Sequence, residues 1–138
     1  MPSIFTRIIA GDIPSYKIYE DDILYAFLDI HPLHLGHTLV VPKMEIGSIL
    51  DVEDAVYNHL MLTAKNILAP AIKRATGCVR IGFSVEGFGV PDHVHLHLIP
   101  LSTAGDMDPS KAHTESTERM ESIQSRITSE LQLSGTNW

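Results

Sequence analysis

Cysteine is nearly absent: Cys78 is the single one in a chain of 138 residues. An intrachain disulfide framework and a Cys-x-x-Cys metal knuckle are both excluded. Long apolar runs are missing too. No stretch approaches the ~18 consecutive apolar residues of a membrane-spanning helix. The opening Met1-Pro2-Ser3-Ile4-Phe5 lacks the basic-then-apolar pattern of a secretory leader. These absences predict a cytoplasmic protein with no membrane partner. Positive charge is scarce, with 10 Lys and Arg against 17 Asp and Glu and a net charge of −7. Such a chain has no basic footprint for DNA or RNA, so nucleic acid is not an expected partner. An anionic ligand would have to be attracted locally, by imidazoles and backbone amides.

What is present is an ordinary globular composition, 44% hydrophobic and 20% charged, long enough for one real core. One stretch organises the rest: His93-Val94-His95-Leu96-His97-Leu98-Ile99-Pro100. Side chains on a strand alternate faces, so His93, His95 and His97 share one face and Val94, Leu96 and Leu98 the other. The apolar face explains burial; packing does not call for three imidazoles in a row. An unperturbed imidazole titrates near ~6.5. Three of them roughly 7 Å apart resist protonating together, because each charge raises the cost of the next. A mixed set results, with one free lone pair and neighbours that can donate protons. That set suits attack on an anionic phosphorus and protonation of what leaves. A hydrogen-bonded polar sheet face and a metal site are the competing readings.

Along the chain, Ile4 to Ala10 reads as a short amphipathic helix ended by Gly11, and Pro14 opens an extended segment. Tyr16–Glu20 and Ile23–Asp29 are β-rich runs around Asp21-Asp22, a hairpin pattern, and His37–Pro42 is a third strand. Ser48-Ile49-Leu50-Asp51 resembles a capping box. Val52, Val56, Leu60, Ala64, Ile67 and Ala71 then recur at helical spacing, which predicts one long core-facing helix kinked near Pro70 and stopped at Gly77. Val79–Val85 is a fourth strand, 86–91 a tight glycine loop, and the histidine strand follows. Residues 102–118 read as a polar loop. Met120, Ile123, Ile127 and Leu131 make the stripe of a C-terminal helix, docked on the body or on a second subunit. The class is α+β.

At this point the chain resembles a known family. His93-Val94-His95-Leu96-His97-Leu98-Ile99 is similar to the histidine triad (HIT) motif, His-φ-His-φ-His-φ-φ. Ile4-Phe5 with Ile8-Ile9, Tyr19-Glu20-Asp21-Asp22, Ala26-Phe27-Leu28-Asp29-Ile30 and Gly36-His37-Thr38-Leu39-Val40-Val41-Pro42-Lys43 match in order, covering roughly residues 3–101. The resemblance implies an antiparallel five-stranded sheet with flanking helices, extended across a homodimer. It divides the chain into a HIT-like nucleotide-binding domain over 1–102 and a polar loop with an amphipathic helix over 103–138. It further implies a nucleotide hydrolase or nucleotidyl transferase of the branch acting on purine nucleoside phosphoramidates and dinucleoside polyphosphates, without a cofactor. Carried over by position, His95 is the nucleophile at the α-phosphorus, and His97 contacts the phosphate and assists the leaving group. His93 and His37 orient the nucleophile and complete the phosphate pocket. Asp29 accepts from the ribose hydroxyls, and Phe5, Ile9, Phe27 and Ile30 sandwich the base.

Read without the family, Asp29 also suits a turn at a strand end, Phe5 and Phe27 suit plain core, and His37 suits a surface turn. His31, His34, His59 and His113 match no functional position and read as surface residues. Two departures from the family pattern stand out. Many relatives form a structural zinc site from Cys-x-x-Cys and a histidine after Pro-Lys-x, where this chain has Ser3, Thr6 and Glu45. Hydroxyl and carboxylate oxygens replace thiolates poorly in a tetrahedral zinc site, so no structural zinc is expected. Before the triad, where many relatives carry Gly-Gln-Ser/Thr-Val, stand Gly89-Val90-Pro91-Asp92. Backbone amides of Gly87, Gly89 and Val90 can substitute in part as anion donors. Pro91 cannot donate, and Asp92 would either hold an imidazole or repel a phosphate. Two other functions compete with the hydrolase: a nucleotide-binding interaction module with little turnover, and a zinc hydrolase using His-x-His with His37.

Overall fold

The structure, a computed structural model, describes residues 1–135. Five antiparallel strands form one sheet in the order β1-β2-β3-β5-β4. They are β1 Lys17–Glu20, β2 Leu24–Leu28, β3 Thr38–Pro42, β4 Arg80–Ser84 and β5 Leu96–Leu101. The central strands β2 and β3 are buried along their whole length, because both faces are covered. On one face Leu24, Ala26, Leu28, Val40, Leu96 and Leu98 join the main core. The period-two alternation puts Tyr25, Phe27, Leu39 and Val41 on the other face, where they pack with Phe5 and Ile8 of helix α1, Ile4–Ile9. Leu39 pairs with His97 in the register, so this second face is the one that carries the triad.

The main core is closed by α2 Asp54–Thr63, α3 Ala69–Thr76 and α4 Thr117–Leu133. Between α2 and α3 the chain makes a π-helical turn over Ala64–Leu68 instead of the expected simple kink. Pro70 has no N–H to give to a carbonyl four residues back, and the wider turn just before it absorbs the mismatch. The insertion also rotates the buried stripe: Leu60, Ala64, Leu68, Ala71, Ile72 and Ala75 face the core, and Ile67 is only half-buried. Gly77 ends α3 in the left-handed region at φ 70°. Ser48 does cap, but it caps a short 3-10 turn over Ile49–Asp51, and α2 begins at Asp54 with no side-chain cap.

Helix α4 docks on the body of its own chain. Met120, Ile123, Ile127 and Leu131 belong to the main core, and the Gln124 amide donates to the Lys17 carbonyl at 2.9 Å. Trp138 lies outside the described residues. Residues 102–116 are an ordered loop. Asp106 is buried and accepts from the Ser102 and Thr103 amides, the Thr103 hydroxyl and Lys111 Nζ, at 2.7–3.0 Å. The same partners hold its carboxyl well below the ordinary carboxylate range. The imidazole of His34 donates to the Asp106 carbonyl at 3.0 Å, which fastens this loop to the turn before β3.

Candidate functional site

The triad is extended, but only His97 lies within a strand; β5 starts at Leu96. The reason is Pro42, where β3 ends. A ladder bond that the Pro42 carbonyl would otherwise accept is made by His93 Nε2–H at 2.6 Å, and the Val94 amide donates to the Ile46 carbonyl at 2.7 Å. This lead-in fixes His93 and His95 as firmly as a strand would, and alternation still places the three imidazoles on one side.

Each ring's tautomer follows from its partners. A carbonyl can only accept, so His93 carries its proton on Nε2, and Nδ1 accepts from the Ser3 hydroxyl at 2.7 Å. Ser3 also caps α1, its Oγ accepting from the Thr6 amide at 3.0 Å, while its own amide donates to the Glu45 carboxylate. The three positions that depart from the family's zinc pattern are thus one hydrogen-bonded cluster closing on His93. His93 is fully buried with both nitrogens engaged. It holds its neighbour and forms no wall of a cleft.

His95 Nδ1–H donates to the His93 carbonyl at 2.9 Å. Its Nε2 is therefore an unprotonated lone pair on a ring that lines a cleft. His37 Nδ1 accepts from the Leu33 amide at 3.1 Å, so its Nε2–H points at His97 Nδ1, 2.9 Å away. His97 in turn keeps its proton on Nε2. Burial pushes His37 down to about 4; the Asp29 carboxylate opposes this, and the neighbouring imidazoles add to it. His97 is lowered by burial and then by His95, against Asp29 and Glu86. The hydrogen-bond pattern sets a lone pair on His95 beside an N–H donor on His97.

A cleft of about 490 Å³ opens on this pair, a size within the usual range for small-molecule sites. Phe5, Phe27, Ile30, Asp29, Gly89, Val90, His95 and His97 line it. Phe5 sits edge-on to His95, with ring centroids 5.1 Å apart, and also meets Phe27 and His93. Ile30 is an exposed rim residue. Ile9 is not among the lining residues; it packs behind the aromatic cluster, and Ile4, Ile8 and Ile13 contribute to the wall in its place. Asp29 does two things: Oδ1 accepts from the His31 amide in a turn at the strand end, and Oδ2 lies 3.6 Å from His37 Nε2. His37 lines a second, smaller cleft beside the first. Asp92 is exposed, and the nitrogens that orient the imidazoles are held by other groups.

Three residues escaped the reading of the sequence. Exposed His31 and Glu86 line both clefts, and Ser15 lines the first. The signal for Glu86 was a carboxylate opening a glycine loop next to the triad; His31 and Ser15 carried none. The donor atoms of Asp29, His37 and His97 lie within 4.8 Å of one another, a set able to hold a cation. It differs from the triad set considered above, because His93 and His95 turn their nitrogens elsewhere. His34 and His59 also carry structural roles. His59 Nε2 meets Asp21, which accepts from Tyr19 as well, each at 2.7 Å.

Comparison with known proteins agrees with this geometry. The HIT domain family matches residues 10–104. An uncharacterised HIT-like protein of Borreliella burgdorferi is 42% identical over 103 residues, spanning 70% of this chain and 73% of its own. An adenosine 5′-monophosphoramidase of Saccharomyces cerevisiae is 41% identical over 97 residues, spanning 70% of this chain and 61% of its own. The crystal structure of a Hit-like protein from Bartonella henselae superposes with a TM-score of 0.80 at 29% identity, covering 94% of this chain and 96% of that one. The chain belongs to the HIT family and is a hydrolase of its histidine-nucleophile, metal-independent type.

Proposed function

We propose that the chain hydrolyses purine nucleotide conjugates at the α-phosphorus, either phosphoramidates or dinucleoside polyphosphates, through a nucleotidyl-histidine on His95. One observation carries this: the His95 Nδ1–H bond to the His93 carbonyl leaves Nε2 as a lone pair on the cleft. The Nε2 pair forms a bond to phosphorus. The bond to the leaving group breaks with its electron pair staying on the departing atom. That atom takes a proton drawn from solvent, while His97 Nε2–H hydrogen-bonds it and steadies the developing charge. Water then attacks the same phosphorus and releases one proton to solvent, and the bonding pair returns to Nε2. His93 and His37 act through His95 and His97, by fixing tautomers and ring planes. Phe5, Phe27 and Ile30 supply apolar surface for a base, and Asp29 Oδ2 is an acceptor for a ribose hydroxyl. Gly89 and Val90 line the same cleft, where their amides are donors available to a phosphate. The named activity of the yeast relative supports the phosphoramidate arm. We extend the family resemblance to a homodimer working in the cytoplasm; among the described residues no helix is long and apolar enough to cross a membrane.

The test is AMP release from adenosine 5′-phosphoramidate in excess chelator, with wild type and His95→Ala compared. Chelator-resistant release that falls at least about a thousandfold in the variant is expected, because the nucleophile is gone while the pocket stands. Release abolished by chelator would shift the chemistry to the Asp29, His37 and His97 cluster. Binding of AMP with no release from any conjugate would make the chain a nucleotide-binding module.

A further inference from the structure

His95 stands on backbone that no strand holds. β5 starts at Leu96, so His93, Val94 and His95 lack the regular ladder that fixes His97. The segment after β3 holds them instead. The Ile46 carbonyl takes the Val94 amide at 2.7 Å. Gly47 lies so close to the loop before the triad that a Cβ on it would fall 2.7 Å from the Pro91 carbonyl oxygen. Glu45, in the same segment, takes the Ser3 amide and the Thr6 hydroxyl, which draws the start of the chain up to the triad. The His93 ring is then gripped at both nitrogens, by the Pro42 carbonyl at 2.6 Å and the Ser3 hydroxyl at 2.7 Å. The carbonyl of that same residue fixes the His95 proton.

We propose that Ser3 is a positioning residue for the nucleophile: its hydroxyl aligns His93, and the His93 carbonyl thereby keeps His95 in the tautomer that leaves Nε2 free. The proposal rests on the hydrolase reading above. Its first support is the direction of the hydrogen bonds. His93 carries its proton on Nε2, so Nδ1 can only accept, and the single Ser3 hydroxyl proton is committed to it. Thr6 Oγ1, 3.3 Å from the Ser3 oxygen, is left to donate to Glu45. Burial is the second support. His93 is fully buried and Ser3 is 5% exposed, so bulk water does not stand in for a lost hydroxyl, and Nδ1 without it is an unpaired acceptor in the interior. The third is a parallel route through α1. Ser3 caps that helix, and its Phe5 sits edge-on to both His93 and His95, with ring centroids 5.6 and 5.1 Å away. Ser3 lines neither cleft, so it acts on the chemistry only through these neighbours.

The experiment replaces Ser3 in three ways. Ser3→Ala removes the hydroxyl and the cap, Ser3→Gly removes the hydroxyl but keeps most of the capping energy, and Ser3→Thr keeps both. Two readouts are taken on each protein: steady-state AMP release from adenosine 5′-phosphoramidate, and imidazole nitrogen NMR of the free protein, which reports the tautomer of each ring. In Ser3→Ala and Ser3→Gly, kcat is expected to fall by about tenfold with KM within about twofold, because the nucleophile loses its alignment and the pocket does not change. His95 in both should move from a single Nδ1–H form to a mixture of tautomers, and Ser3→Thr should restore both readings. Wild-type kcat in Ser3→Gly would overturn the proposal and leave Ser3 as a helix cap only. A His95 that stays in one tautomer in Ser3→Gly would overturn it whatever kcat does. No AMP from wild type would overturn the hydrolase reading alone, since the His95 tautomer in Ser3→Gly still decides whether Ser3 aligns that ring.

Discussion

At the scale of single residues, the site works by assigning protons. Three buried imidazoles each have one nitrogen spoken for by a group of fixed character: a carbonyl for His93 and His95, an amide for His37. His37 shows what this costs. Its folded value is near 4 against an ordinary 6.5, so between those values the unfolded chain binds more protons than the folded one. Stability from this group is then complete above about pH 6.5 and drains away as pH falls toward 4. Thermal melting of the wild type should show that loss across the window. In His37→Gln, where an amide can accept from Leu33 and donate to His97, the slope should flatten; an equally steep slope would contradict the assignment. The triad spacing made the histidines legible at once. The Ser3 hydroxyl on His93 was not legible, because 90 residues separate the partners and a serine near a chain start usually means only a cap.

At the scale of elements, the strands were readable because alternation and turn residues agree; the ends of β1 to β4 differ by at most one residue from the sequence reading, while β5 starts three residues later than expected, at Leu96. Helix α2–α3 was readable as one apolar stripe, but the π-helical turn was not. A proline announces a fault in a helix without saying how the backbone absorbs it. The segment after β5 reads as a polar loop and is one; what the sequence did not show is that a buried carboxylate collects the loop's amides and gives it one shape. Asp106→Ala removes that acceptor. The prediction is faster hydrogen exchange at Ser102 and Thr103 and looser loop residues up to 112, with the amides of β2 and β3 still protected. Unchanged exchange at Ser102 and Thr103 would show that the loop is ordered by something other than Asp106.

At the scale of the molecule, the sheet separates two duties. One face is sealed by α2, α3 and α4 into the main core, so the other face can be left open above Phe27, Leu39 and His97. Short α1 covers only part of that face, and the uncovered remainder is the nucleotide cleft. The fold and the triad were legible because they are periodic and local. The second cleft was not, since it joins residues from the turn before β3, the glycine loop, β5 and the Asp106 loop, which no spacing rule links. The central claim is that His95 itself becomes bonded to the nucleotide. The most direct measurement is rapid quenching of wild type with adenosine 5′-phosphoramidate, followed by intact mass and peptide mapping under conditions that preserve P–N bonds. The account predicts a transient mass increase equal to one adenylyl group, mapped to His95 and absent in His95→Ala. Steady AMP release with no adduct at any quench time, or an adduct on His97, would contradict it.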